Sequence, residues 1–229
     1  MLLLNREDAG CRLAGRLTPY RADPSALILA LPRGGVPVGY AISLALHIPL
    51  DVFITRKLGA PENPEFAIGA VAETGTVYFN PQARDILDDL RARPGRLEAL
   101  IERERQEIAR RQATYRGGRA LPPLEKRTVL LVDDGVATGA TFFASVEALN
   151  QQSLGRLVAA VPVGPVDTLR RLRNLVDELV VLQTPEPFWA VGNHYEEFAQ
   201  VSDEEVRDYL KRAAAALHGR EPKDRMATA

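Results

Sequence analysis

The sequence predicts an α/β fold, with a central, mostly parallel sheet wrapped by helices, a hairpin and a further helical pair. Three observations carry this expectation. Apolar runs that read as strands recur at 27–31, 51–55, 129–132, 156–163 and 178–183, and helical stretches separate most of them. Two of these runs pass through a glycine turn straight into a helix, at 33–35 and at 135–139. The chain has 229 residues, 46% hydrophobic and 26% charged, enough to bury a real core.

Bulk properties narrow the function classes. A net charge of −1 provides no global field to recruit nucleic acid or an anionic membrane. The single cysteine, Cys11, excludes an internal disulfide and points to a reducing compartment, so a cytoplasmic location is expected. The opening MLLLNRED is too short for a signal peptide, and no stretch approaches about 20 uninterrupted apolar residues. His47, His194 and His218 are too scattered for a zinc site.

Taken in order, Asn5 to Leu17 reads as a helix with Ala9, Leu13 and Leu17 on one face and Cys11 in or near that packing. Leu27 to Leu31 is a strand. LPRGGVPVG then turns into a helix running from about Val36 to His47. Asp51 to Thr55 is the next strand and is expected to deliver Arg56 and Lys57 at its C-terminal end, where open α/β sheets collect ligands. Residues 60–66 are turn-rich. Ile68 to Phe79 reads as a hairpin turning at Thr74-Gly75. Glu65 and Glu73 could each face the site or be surface charges, and the surface reading is favoured for both.

Asn80 and Pro81 open a helix that Pro94-Gly95 breaks. A charged helix follows from Arg96 to Tyr115, with a narrow stripe of Leu97, Leu100, Ile101, Ile108 and Ala109. Glutamates interleave with its arginines and aromatics are scarce, so a solvated face is expected rather than a nucleic-acid surface. This helical pair, about 80–116, covers the site or makes a dimer contact. Pro165 to Val176 is a helix, and Ser202 to Glu205 is a capping box opening a helix through Leu217. Residues 1–218 are expected to form one domain, with 219–229 a polar, frayed tail.

The chemistry concentrates in 128–149, TVLLVDDGVATGATFFASVEAL. A buried strand ends in Asp133, Asp134 and Gly135. A small-residue turn, Ala137-Thr138-Gly139-Ala140-Thr141, then opens a helix. Unpaired N–H groups at a helix start favour an anion, and the two threonine hydroxyls can donate to it. Paired carboxylates can accept hydrogen bonds from two neighbouring hydroxyls, as on a ribose, or hold a hydrated Mg²⁺. Neither a Walker A loop nor the dinucleotide-binding glycine pattern is present.

VDDGVATGAT closely resembles the signature of type I phosphoribosyltransferases. The resemblance spans about Leu27 to Phe198. It implies that Asp133 and Asp134 bind the ribose hydroxyls of phosphoribosyl pyrophosphate (PRPP), and that Gly135 and Ala137, Thr138, Gly139, Ala140 and Thr141 bind its sugar and 5′-phosphate. The Arg33-Gly34-Gly35 turn resembles the pyrophosphate loop, closest to that of the xanthine-guanine members. Arg56-Lys57-x-Gly is similar to a stretch of adenine phosphoribosyltransferases. The catalytic set is then Asp133, Asp134 and Lys57, with Arg33, Gly34, Gly35, Arg56 and Lys57 on the pyrophosphate.

By the same resemblance the 60–79 segment is a mobile hairpin hood and the 80–116 pair a helical insertion. WAVGNHYEEF is similar in layout to the late base-site segment of hypoxanthine-guanine members. It implies base contacts from Phe188 and Trp189, with Tyr195 a further flat face, and Glu196 near the metal. Mg²⁺ would be shared by Asp133, Asp134 and Glu196, partly through water or PRPP. The 6-oxopurine enzymes carry a lysine where this chain reads AVPVGPVD, so hypoxanthine and guanine do not carry over. The expected activity is Mg²⁺-dependent phosphoribosyl transfer to a nitrogenous, possibly purine-like acceptor. Expected partners are PRPP, that acceptor and a second copy in a homodimer, with no nucleic acid or membrane. The rival expectation is a non-catalytic PRPP-binding regulator.

Overall fold

The computed structural model describes residues 2–64 and 66–218. Five parallel strands form the main sheet: β1 (Ala26–Ala30), β2 (Leu50–Val52), β6 (Thr128–Val132), β7 (Arg156–Val163) and β8 (Glu178–Gln183), in the order β2-β1-β6-β7-β8. A smaller antiparallel sheet contains β3 (Thr55–Gly59), β4 (Ala67–Ala72) and β5 (Val77–Phe79). The helices are α1 (Arg6–Arg16), α2 (Gly35–Leu46), α3 (Arg84–Arg91), α4 (Arg96–Arg116), α5 (Ala140–Asn150), α6 (Val166–Arg173) and α7 (Asp203–His218). None of the helices among the described residues is long and apolar enough to cross a membrane.

The period of two along each strand sorts the core into two layers. Ile28, Leu130, Val132, Val158 and Ala160 face α1 and α2, where Leu13, Leu17, Val38, Ile42 and Leu46 meet them. Leu27, Leu29, Leu131, Leu157 and Val161 face α5 and α6, meeting Phe142, Val146, Leu149 and Leu172. Covered on both faces, these strands are apolar at nearly every position.

A third apolar cluster joins Ile54 and Leu58 around β3, Ile68 and Val71 on β4, Leu87 and Leu90 on α3, Leu97 and Ile108 on α4, and Val206 on α7. The predicted helical insertion therefore packs on the small sheet. All six residues of β4 are buried, and α5 packs against this sheet from the other side. Among the described residues of 60–79, those exposed to solvent are the loop at 61–64, Phe66 and the tip at 74–75.

Several local expectations need correction. The strand expected over 51–55 stops at Val52, and the chain changes sheets. Phe53 N–H donates to Ala30 O, whereas Ile54 N–H donates to the Glu73 carboxylate. Arg56 and Lys57 therefore lie inside β3, opposite Val71 and Ala70, and not at a strand end of the main sheet. Glu73 is no surface charge. Its side chain is 2% exposed and meets the guanidinium of Arg116, itself 1% exposed. Cys11 is exposed, because it falls on the solvent side of α1. A short 3₁₀ turn, Pro81–Ala83, precedes α3, and α6 ends at Arg173. The Ser202–Glu205 capping box forms as expected, with reciprocal bonds of 2.7 and 3.1 Å. Glu65 and the 219–229 tail lie outside the described residues.

Candidate functional site: two turns at a sheet switch point

From β1 the chain crosses to β2 on one side, whereas from β6 it crosses to β7 on the other. The crevice between β1 and β6 is therefore a topological switch point, where open α/β sheets bind ligands beyond the carboxyl ends of the strands. The two strands pair in register, with Ala30 opposite Val132. Their trailing turns are thus held side by side, although Arg33 and Asp133 are distant in sequence.

Contact between the turns is close enough to require glycine. A Cβ on Gly34 would lie 2.0 Å from Asp134 Oδ2, and one on Gly35 would lie 2.7 Å from Val132 O. Arg33, joined to Pro32 by a cis peptide, approaches Asp203 at the start of α7 at 3.7 Å. Asp203 also accepts hydrogen bonds from Tyr115 (2.6 Å) and Arg110 (3.2 Å).

Asp133 and Asp134 follow β6, both only partly accessible. Asp133 accepts the backbone N–H of Asp134 at 2.9 Å. Burial and the neighbouring Asp134 charge push the Asp133 carboxyl well above the usual carboxylate range. Burial raises Asp134 too, against the opposing pull of Arg6. Arg6 Nε donates to Asp134 Oδ2 at 2.8 Å, and the two side chains are 11% and 14% exposed.

Beyond the acids, Gly139 has φ of +77°, a conformation that favours glycine, and α5 begins at Ala140. Thr138 and Ala140 line a cavity of about 90 Å³ with Phe66, Tyr78, Asn80 and Arg171. The turn is therefore open to a small anion on the side facing the small sheet.

The remaining predicted residues divide. Val191 lies against Gly135, so the 188–194 segment borders the acid turn. Trp189 is 80% exposed, which leaves its ring available and shows that it does not pack the core. Phe188 stacks on His194 with ring centroids 5.2 Å apart. Tyr195 is not a free flat face. Its hydroxyl donates to Asp134 O at 2.6 Å, and its ring meets Phe198 at 5.0 Å. The backbone of Glu196 is tied to the N-terminal segment through Leu3 O at 2.8 Å.

Arg56 donates to Glu104 of α4 at 3.0 Å. Lys57, one residue on, points to the opposite face of β3. That face also carries Thr55, which is 2.8 Å from Ser145 of α5. The two cations therefore face opposite sides of β3.

Arg6, Tyr195 as a donor and Asp203 were not foreseen. A signal for Arg6 exists in hindsight. A cation in the first turn of a helix opposes the dipole, so it needs a partner elsewhere.

Comparison with known proteins agrees with this geometry. The family model described as "Phosphoribosyl transferase domain" matches residues 13–197. Two Mycobacterium tuberculosis proteins, from strains CDC 1551 / Oshkosh and ATCC 25618 / H37Rv, are 40% identical over 209 residues and bear the provisional name of phosphoribosyl transferase. The match covers 91% of this chain and 46% of theirs, so the chain spans about half the length of these relatives. The crystal structure of TT1426 from Thermus thermophilus is 39% identical, with a TM-score of 0.77, covering 93% of this chain and 99% of that one. With the family model spanning most of its length, and the acid and RGG turns meeting at the switch point, the chain belongs to the phosphoribosyl transferase domain family.

Proposed function

We propose that the protein transfers the 5-phosphoribosyl group of PRPP to a nitrogenous acceptor and releases pyrophosphate. The observation that carries this reading is the pairing of β1 with β6, which places the RGG turn against the Asp pair at the sheet switch point. A sugar diphosphate spans such a site naturally. The ribose hydroxyls lie at Asp133 and Asp134. The 5′-phosphate occupies the turn from Ala137 to Thr141, and the leaving diphosphate lies at Arg33, Gly34 and Gly35, with Lys57 approaching from the small sheet.

The acceptor nitrogen forms a bond to C1 as the bond from C1 to the diphosphate oxygen breaks. Both electrons of that bond leave with pyrophosphate, and the acceptor's proton passes to solvent. The oxocarbenium-like state needs positioning and charge stabilisation more than covalent help. Backbone N–H groups at the start of α5 hold the phosphate end, so the sugar carbon is fixed relative to both acids. Trp189, exposed beside the acid turn, offers a stacking face to a planar acceptor.

The donors present are hard carboxylate oxygens, and no group of three or more metal-ligating side chains converges among the described residues. That set suits Mg²⁺ held by one or two carboxylates with most of its shell from substrate phosphates and water. Asp133 and Asp134 would hold it, and when bound it would neutralise charge on the leaving diphosphate. Glu196, on the segment that follows the acid turn's neighbour Val191, would join them through water or PRPP.

The direct test is pyrophosphate release from PRPP and Mg²⁺ against a panel of purines, pyrimidines and small amines. Release that depends on one acceptor is expected, and names the substrate. Tight PRPP binding without release for any acceptor would instead make the protein a PRPP-binding regulator.

A further inference from the structure

Arg6 lies outside the motifs that identify the family, yet it reaches Asp134 in their centre. It sits on α1, and its other contacts hold it firmly in place. Its Nη1 donates to Ala199 O at 2.7 Å. Its guanidinium lies 3.8 Å from the centre of the Phe198 ring. Leu3 N–H donates to His194 O at 2.9 Å, and Glu196 N–H and Glu197 N–H return to Leu3 O and Leu4 O at 2.8 and 2.9 Å. The N-terminal segment and the segment after β8 are thus zipped together over Arg6, and Tyr195 in the same zip holds the Asp134 carbonyl.

Asp134 Oδ2 is enclosed from two sides. Arg6 donates to it, and the backbone of Gly34 approaches so closely that no side chain fits there. The carboxylate therefore has one fixed orientation, with Oδ1 outside the Arg6 bond. A freely rotating carboxylate would present either oxygen to a ligand. A tethered one presents a single acceptor at one place, which suits one sugar hydroxyl.

We propose that Arg6 is a positioning residue for the sugar site: through Oδ2 it orients Asp134 so that the free oxygen accepts a ribose hydroxyl of PRPP. This rests on the phosphoribosyl reading above. Arg6 acts through Asp134 and does not touch the diphosphate end, so the two halves of the ligand should respond differently to its loss.

The experiment measures affinity for PRPP with Mg²⁺ and, separately, for inorganic pyrophosphate in EDTA, so that a metal held by the acid pair does not couple the two readings, by calorimetry on the full chain. Wild type is compared with Arg6→Gln, Arg6→Lys and Phe198→Leu. Losing a charge-assisted bond should weaken PRPP binding about tenfold or more in Arg6→Gln. Pyrophosphate affinity should stay within about threefold. Arg6→Lys should recover part of the loss, since it restores the charge without the fork. Phe198→Leu keeps the ion pair, removes the aromatic cover over Arg6 together with the ring contact to Tyr195, and should show a smaller loss in the same direction. It serves if Arg6→Gln does not fold. Parallel weakening of both ligands, or no change in either, would overturn the role of Arg6. Wild type that binds pyrophosphate but not PRPP would instead overturn the phosphoribosyl reading, and this inference with it.

Discussion

Among the arginines that meet buried carboxylates, Arg116 and Arg6 do so in opposite ways. Arg116, at the end of α4, is nearly saturated, with four of its five N–H groups donating. Its Nε donates to Asp51 at 3.0 Å, its Nη2 to Glu73 at 2.9 Å and also to the Val52 carbonyl, and its Nη1 also reaches Glu73. Glu73 has no spare capacity either, since Ile54 N–H and Gln112 Nε2 also donate to it, at 2.7 and 3.0 Å. Arg6 instead engages one oxygen of one acid, and a second acid beside it has no arginine of its own. A closed network fixes architecture: here it holds the point where the chain leaves the main sheet for the small one. An open one fixes a carboxylate and leaves acceptor capacity for something else. Position decides which is which, because the first lies between two sheets and the second at the switch point.

Breaking the closed network should have the largest effect. Arg116→Met leaves Glu73 and Asp51 buried without their cation, which costs about 3–5 kcal/mol. Urea unfolding measures it, and a loss below about 1 kcal/mol would show that the network is ornamental.

The open centre should behave oppositely, because its charge is held against the preference of its surroundings. Asp133 has a folded-state pKa raised above its unfolded value. Its contribution to stability is therefore fully present below the unfolded pKa, about 3.9, and is lost as pH rises through the raised value. Asp133→Asn removes that loss. The ligand-free, metal-free variant should melt higher than wild type at pH 7.5, and the gap should close as pH falls towards about 4. A variant that melts lower than wild type at neutral pH contradicts the cause assigned to the shift.

Tyr195→Phe sharpens the comparison with a smaller change. It removes the donor to the Asp134 carbonyl and should cost about 1 kcal/mol. If PRPP binding weakens as well, the zip over Arg6 acts on the acid turn.

The smallest effect belongs to a solvated pair. Glu107 on α4 is drawn down to about 2, chiefly by the hydrogen bond from Arg110 with Arg111 beside it. Its stabilisation is present above the unfolded pKa and is lost as pH falls through about 2. Because Glu107 is only half-buried and Arg110 is exposed, Glu107→Gln should cost less than about 1 kcal/mol.

Most of the architecture could be read from the chain because it depends on local signals. Uninterrupted apolar runs marked the doubly covered strands, and Asn80, Pro81, Pro94-Gly95 and Ser202–Glu205 punctuated the helices. Ten contiguous residues, Val132 to Thr141, carried the family resemblance. What escaped depends on pairings that local pattern does not encode. Glu73 and Arg116 look like ordinary surface charges in sequence, and only the packing of α4 on β4 hides them. Arg56 and Lys57 follow an apolar run as a strand end would, but the Glu73 carboxylate captures Ile54 and diverts the chain. Arg6 and Asp134 are joined only because α1 and the segment after β8 close over the same turn. The aromatic segment borders the acid turn through Val191, and Tyr195 serves that turn through its hydroxyl rather than its ring.

The central claim is that the Asp pair binds the sugar of PRPP. Calorimetry of PRPP with Mg²⁺ against wild type and the Asp133→Asn, Asp134→Asn double variant tests it most directly. The account predicts binding by wild type and none by the folded double variant, because two amides at this turn no longer offer a pair of carboxylates to neighbouring hydroxyls. Unchanged affinity in the double variant would contradict it.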